Sequence, residues 1–229
     1  MVVAQVPIDP FEARVNMRVI VVRHFRTLNN ENRRIMGWGD APPAADWEDD
    51  LQVVDGKLDA AGLHFDAYYS SALGRARETA LYYSQRRGDN GIVSLQALNE
   101  VDYGEFFGLD KQSVEESCPQ YKTDADFVFP GGESFHQMQA RSSACVLDLE
   151  TQHAGQTLLL VVHAGVIRGL ISHFLGLEFE LNLKRKVSHR YIGDFTIEHG
   201  VCSRYDELGR SSGFVKDGVI EVAWVRQYP

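Results

Sequence analysis

The chain has 229 residues, of which 44% are hydrophobic and 24% charged, and its formal net charge is -9. These values are typical of a globular protein with one sizeable α/β domain or at most two small ones. The negative charge argues against general binding to nucleic acid or to an anionic membrane, although a local arginine cluster can still hold an anionic substrate. No apolar run reaches the length of a membrane span.

Three widely spaced cysteines, Cys118, Cys145 and Cys202, form no CxxC pair. They suggest no disulfide framework, which favours a reducing, cytoplasmic location. Residues 1–16 lack the apolar core of a signal peptide. We expect them to be a poorly ordered extension, or Met17 to be the true start, and we expect residues 17–229 to form a single domain.

Predicted strands and helices alternate along the chain. The strand candidates are short apolar runs, at Arg18–Val22, Asp66–Ser70, Ile92–Ser94, Thr157–Val162, Asp194–Ile197 and Val219–Val225. The helix candidates have apolar residues at helical spacing or follow a Pro-Gly break, at Asp46–Ala60, Leu73–Arg87, Ser134–Gln152 and Val166–Leu175. This alternation predicts a largely parallel sheet covered on both faces.

The segment Glu105–Phe129 mixes aromatic and acidic residues without a clean period. It is either a packed irregular connection or a cap over a pocket, and the sequence favours neither, because long structured loops are often functional.

Two predicted strands end in a histidine. Val19–Val22 leads into Arg23 and His24, and Leu158–Val162 leads into His163. Ligands bind at the strand ends of open α/β sheets, where histidine can act as a nucleophile and arginine can hold an anion. One such histidine is more often structural, but two favour a shared site. The remaining histidines show no metal-ligand spacing, which argues against a zinc site.

Four segments, taken in order and at their spacing, resemble the histidine phosphatase superfamily, in particular its phosphoglycerate-mutase-like group. They are Arg23–Thr27 with Asn30, Tyr69–Ala80, Leu98–Gly104 and Val162–Arg168, and a Gly-Gly-Glu-Ser element lies within Pro130–Ser134. The resemblance runs from about Arg18 to about Phe174 and implies an α/β fold, a three-layer α/β/α sandwich.

The resemblance also implies residue roles. His24 matches the nucleophile that takes the phosphoryl group, and Glu100 matches the acid that protonates the leaving oxygen and later activates water. The remaining matches clamp the phosphate or line its pocket: Arg23, Arg75 and His163 as the clamp, and Thr27, Asn30 and Ala164 as lining positions. The scheme needs no metal and no cofactor, and its partner is a small-molecule phosphate ester.

Elementary chemistry agrees with these roles. A phosphate monoester is a dianion near neutral pH, and its transition state spreads charge over three equatorial oxygens. Arg23 and Arg75 can supply rigid donor forks to those oxygens. Their charges should also disfavour protonation of His24, which keeps its imidazole nucleophilic.

Two positions depart from the family pattern. Phe25 stands where the family usually has glycine, so it must accept or change a tight backbone, and we expect its ring to narrow the pocket or pack on a substrate. Arg26 replaces the usual acidic or amide residue before Thr27 and should add positive charge.

The sequence therefore predicts a metal-independent phosphatase that acts through a phosphohistidine on His24. A phosphoglycerate-type mutase ranks lower, because little after Phe174 resembles the closing tail of such mutases. A non-catalytic phosphate-ligand binding protein is supported by Phe25 alone.

Overall fold

The computed structural model describes residues 16–208 and two short strand segments, 215–216 and 219–220. Six strands form one sheet: β1 Met17–Arg23, β2 Ala67–Ser71, β3 Val93–Leu95, β4 Thr157–Val162, β5 Ile192–Glu198 and β6 Val201–Glu207. Their order is β3-β2-β4-β1-β5-β6. The first four are parallel to one another, and β5 and β6 add an antiparallel edge, which confirms the predicted largely parallel sheet. Two further strands, β7 Val215–Lys216 and β8 Val219–Ile220, pair separately.

Seven helices lie between the strands in the described ranges: α1 Leu28–Glu31, α2 Trp47–Ala60, α3 Gly74–Arg86, α4 Lys111–Ser117, α5 Phe135–Gln152, α6 Ala164–Leu175 and α7 Phe179–Leu183. Ser134 caps α5, because its hydroxyl accepts the Gln137 N–H and the Gln137 side chain returns to the Ser134 N–H. In the part of the chain described here, no helix combines the length and apolar character needed to cross a bilayer.

Alternate residues of β1 enter two different cores. Val19 and Val21 pack into the core that contains the apolar faces of α5 and α6. Ile20 and Val22 pack into the core on the other face, with α2 and α3. A parallel strand buried on both faces reads as a continuous apolar run. The two cores form the three layers that the sequence predicted.

The structure differs from the sequence prediction in several places, including the short helices α1, α4 and α7, which were not predicted. Strand β6 was not predicted, because in Val201–Glu207 only Cys202 and Tyr205 are buried and a register shift interrupts its pairing with β5. Helix α6 begins at Ala164, two residues before the predicted start. Of the predicted strand Val219–Val225, the last five residues lie outside the described part, as do residues 1–15.

The central strand should dominate stability. Leu159 of β4 is fully buried between α2 and α3, whereas Leu181 is 78% exposed. Leu159→Ala is expected to lower the free energy of unfolding by about 2–5 kcal/mol, because it removes buried methyl groups and leaves a cavity. Leu181→Ala is the matched control and should change it by less than about 0.5 kcal/mol. Urea denaturation measures both, and equal losses would contradict the assignment of the core.

Candidate active site

The parallel pairing of β1 with β4 brings the two strand-end histidines together. Arg23 lies opposite Val162 in the register, and the His24 N–H donates to the Val162 carbonyl at 3.0 Å. The rings of His24 and His163 have centroids 5.0 Å apart, and both residues are buried. The two predicted strand-end residues thus lie side by side at one edge of the sheet.

The His24 ring has a defined tautomer. Its Nδ1 lies 2.5 Å from the Phe25 carbonyl oxygen. A carbonyl can only accept, so Nδ1 carries the proton and Nε2 carries a lone pair. Burial lowers the pKa of His24 well below its usual value, and the charge of Arg75 lowers it further. The imidazole is therefore neutral near pH 7, in the direction that the sequence analysis expected.

The peptide between His24 and Phe25 is held from both sides. Its N–H donates to Thr79 Oγ1 of α3 at 3.0 Å, and its carbonyl accepts the His189 Nδ1–H at 2.9 Å. The next carbonyl along the chain orients the His24 ring, so these two contacts fix the nitrogen lone pair indirectly. Sequence reasoning did not single out His189, because its contact with His24 spans 165 positions.

The expected place of the Phe25 ring was wrong. Phe25 is 2% exposed and packs on Trp47 in the α2/α3 core, with ring centroids 4.8 Å apart, and it does not line the cleft. Its φ is not positive, so the backbone needs no glycine there. Arg26 is likewise engaged outside the cleft, by Asp46 at 2.5 Å and by Asp50 at 3.6 Å.

The guanidinium groups of Arg23 and Arg75 are held by backbone carbonyls. Arg23 Nη1 donates to Val187 at 2.5 Å, and Arg75 donates to Gly37 and Gly39, each at 2.7 Å. Burial lowers the pKa of both arginines to about 10, so both stay charged at neutral pH. The Nε atom of each is buried and has no hydrogen-bond partner among the described residues.

His163 presents a second free ring nitrogen. Its Nε2 lies 2.7 Å from Ser71 Oγ, which also accepts the Leu73 N–H at 3.3 Å. When the Ser71 hydroxyl donates to Nε2, Nδ1 carries the ring proton. That Nδ1 is buried and has no partner in the described part of the chain. Burial, and next Arg75, lower the pKa of His163 well below its usual value, so the ring is neutral.

Glu100 is placed by the first turn of α6. Its carboxylate accepts the N–H groups of Gly165 and Val101, both at 3.1 Å. Its backbone carbonyl accepts from Trp38 Nε1 at 2.6 Å and from Arg141 at 2.8 Å. Position 165 needs glycine for a steric reason, because a Cβ there would overlap the Glu100 carboxylate.

The Gly-Gly-Glu-Ser element supports this loop rather than the cleft. Glu133 accepts the Asp102 N–H at 2.9 Å, and its two carboxylate oxygens accept from Nε and Nη2 of Arg141. Arg141 also donates to the carbonyls of Ala97 and Asn99. This bidentate pair therefore ties α5 to the loop that carries Glu100.

The predicted lining positions separate into two groups. Asn30 and Ala164 line the cleft, whereas Thr27 is fully buried behind them and does not. The Thr27 N–H donates to Asn30 Oδ1 at 3.1 Å, and its Oγ1 is 3.0 Å from the same atom. This contact occupies the amide oxygen of Asn30 and leaves its NH₂ group as a donor.

The cleft has a volume of about 250 Å³. Four of the five predicted catalytic residues line it, and His163 lies against His24. One wall comes from Glu105–Phe129, through Lys111, Tyr121 and Lys122. The same segment is packed, since Phe129 is 1% exposed and contacts five aromatic rings. Across residues 16–208, no cluster of His, Cys, Asp or Glu is arranged to hold a metal ion.

The comparisons with known proteins agree with this geometry. The family model of the histidine phosphatase superfamily (branch 1) matches residues 19–203. The chain therefore belongs to the histidine phosphatase superfamily, which confirms the resemblance carried by its motifs.

Named relatives include both mutases and phosphatases. The 2,3-bisphosphoglycerate-dependent phosphoglycerate mutase of Brucella anthropi is 32% identical over 179 residues, 74% of this chain and 87% of the relative. A mycobacterial glucosyl-3-phosphoglycerate phosphatase matches with a TM-score of 0.73 at 23% identity, over 85% of this chain and 99% of the other. The alpha-ribazole phosphatase of Shigella flexneri matches with a TM-score of 0.71 at 23% identity, over 90% of this chain and 99% of the other. At this identity, the two structural matches show a shared fold.

The close approach of Gly165 to Glu100 makes a sharp test. Gly165→Ala is expected to displace the Glu100 carboxylate and to lower turnover of an alkyl phosphate about tenfold or more. Gly169→Ala, in the same helix, meets Gln139 at an ordinary 3.4 Å and is the matched control. Initial rates with thermal melting of both variants check this, and equal activities would contradict the placement of Glu100.

Proposed function

We propose that this chain is a phosphatase that hydrolyses small phosphate monoesters through a phosphohistidine on His24. The observation that carries the proposal is the set of unpartnered nitrogen atoms on the residues around His24. The Nε–H groups of Arg23 and Arg75 and the Nδ1 atom of His163 are buried without a hydrogen-bond partner among the described residues. A buried donor left unsatisfied costs about 1–3 kcal/mol, and the oxygens of a phosphoryl group would satisfy all three.

In the first step, His24 Nε2 attacks phosphorus and the bond from phosphorus to the ester oxygen breaks. Arg23, Arg75 and His163 donate to the equatorial oxygens, where charge is spread in the transition state. The leaving alkoxide takes a proton from Glu100, a carboxylic acid in reach of the cleft. An alcohol leaves and His24 carries the phosphoryl group.

In the second step, water attacks the phosphohistidine. Glu100, now a carboxylate, takes the proton of the water, and the bond from nitrogen to phosphorus breaks. Inorganic phosphate leaves, and His24 returns with its Nδ1–H still donated to the Phe25 carbonyl. Neither step draws on a metal ion or a cofactor.

A mutase is the second candidate, favoured by the 32% identity to a relative named phosphoglycerate mutase. The two activities share the first step and differ in what accepts the phosphoryl group, water or a second hydroxyl. Adding 2,3-bisphosphoglycerate separates them. Release of inorganic phosphate supports the phosphatase, whereas stimulated interconversion of 2- and 3-phosphoglycerate supports the mutase.

His24→Ala tests the nucleophile. It is expected to lower hydrolysis of p-nitrophenyl phosphate in the presence of EDTA by several orders of magnitude, because the phosphohistidine can no longer form. The exposed His64→Ala is the control and should retain wild-type turnover. Circular dichroism checks the fold of both proteins. Comparable turnover in His24→Ala would remove His24 from this role.

Glu100→Gln tests the acid. The loss is expected to be much larger for alkyl phosphates than for p-nitrophenyl phosphate, because p-nitrophenolate leaves without needing a proton. Glu105→Gln, an exposed carboxylate five residues further on, is the control. Equal losses on the two substrate classes would show that Glu100 is not the proton donor.

A further inference from the structure

The loop that leads into β5 passes over the nucleophile at the end of β1. Strand β5 pairs antiparallel with β1, and Ile192 lies opposite Val22 in the register. The start of an antiparallel strand lies beside the end of its partner. The residues just before Ile192 are therefore carried to the end of β1, where His24 follows.

This loop contacts the site through two hydrogen bonds. The Val187 carbonyl accepts from Arg23, and Nδ1 of His189 lies 2.9 Å from the His24 carbonyl oxygen. The rings of His189 and His24 are nearly perpendicular, with centroids 5.5 Å apart, and His189 does not line the cleft. His189 therefore contacts the backbone of the nucleophile and not the space where a substrate binds.

His189 acts on that backbone as a hydrogen-bond donor and not as a charge. A carbonyl oxygen can only accept, so Nδ1 of His189 carries the ring proton. Burial, and next the charge of Arg23, lower the pKa of His189 to about 3. The ring is therefore neutral near pH 7, and a neutral donor of the same reach could replace it.

Ion pairs hold the loop against α2. Arg190 Nε donates to one carboxylate oxygen of Asp50 at 2.6 Å, and the other oxygen lies 3.6 Å from Arg26 Nε. Asp50 is 7% exposed, and partly buried pairs of this kind are screened less than surface pairs. Asp50 thus joins the residue after His189 to the segment after His24. Arg26, which departs from the family pattern, is one end of this link.

We propose that His189 is a positioning residue for the nucleophile, acting through the His24 carbonyl on the peptide between His24 and Phe25. This inference rests on the proposed phosphohistidine chemistry. The next carbonyl, that of Phe25, holds the proton on Nδ1 of His24. Rotation of the peptide before it would swing that carbonyl away and leave the imidazole free to turn or to change tautomer. Thr79 accepts the N–H of the same peptide, so His189 and Thr79 restrain it from both sides.

Two substitutions of similar shape test the donor. In His189→Asn the amide nitrogen lies as many bonds from the backbone as the imidazole Nδ1, whereas His189→Leu has the branched shape of asparagine without a donor. We expect His189→Asn to keep kcat/KM for p-nitrophenyl phosphate within about threefold of the wild type, and His189→Leu to lower it about tenfold or more. Thermal melting checks the fold, and His189→Ala replaces His189→Leu if the latter is unfolded.

The affinity for inorganic phosphate separates this role from an effect on phosphate binding. Calorimetry should give dissociation constants within about twofold of the wild type for both variants, because the phosphate ligands are unchanged. Equal kcat/KM in the two variants would overturn the role of the donor. A loss of phosphate affinity as large as the loss of kcat/KM would also overturn it, because the loop would then act through Val187 on Arg23.

A second measurement needs no turnover, so it separates failure of the positioning role from failure of the phosphatase proposal. Nitrogen NMR spectra of the imidazole rings report which nitrogen of His24 carries the proton, and the His24→Ala variant assigns its signals. We expect the proton on Nδ1 alone in the wild type and in His189→Asn, and both tautomers in His189→Leu. If the chain hydrolyses no phosphate ester, this difference would still support the positioning role. A His24 tautomer unchanged in His189→Leu would overturn it.

Discussion

The parallel pairing of β1 with β4 is the constraint on which the site depends. It places the carboxyl ends of both strands at one edge, with the His24 N–H on the Val162 carbonyl. Both strands are buried on both faces, so a shift of register by one residue would move their apolar side chains into the wrong core. Packing of the two cores therefore sets the distance between His24 and His163. The precision of the site is a consequence of core packing rather than of local contacts at the cleft.

The arginines of the cleft are oriented mainly by carbonyls. Arg23 donates to Val187, and Arg168 donates to Arg185. A carbonyl fixes the geometry of a guanidinium without cancelling its charge, whereas a carboxylate does both. Outside the cleft the pattern is different, since Arg87 pairs with two carboxylates. Arg75 is intermediate, with two carbonyls and an Asp40 oxygen 3.7 Å away. Positive charge thus remains available to a ligand where the chemistry needs it.

Sequence reasoning reached the parts of the site that lie at strand ends and helix starts. His24 and His163 follow apolar runs, and a parallel sheet brings such ends together. The place of the Phe25 ring and the contact of His189 depend instead on which core and which loop close over the strand. No local pattern encodes them: Phe25 fits because Trp47 offers a packing surface 4.8 Å away. Strand β6 was missed for a related reason, because an edge strand buries few of its side chains.

The turn from β4 into α6 positions two parts of the proposed chemistry at once. Strand β4 ends at Val162, His163 follows it and lies against His24, and α6 begins at Ala164. One residue into that helix, the Gly165 N–H donates to the Glu100 carboxylate, and the absence of a Cβ at Gly165 leaves room for that carboxylate. The same turn therefore places both the proposed phosphate ligand His163 and the proposed acid Glu100, so that a shift in the packing of α6 would displace both together.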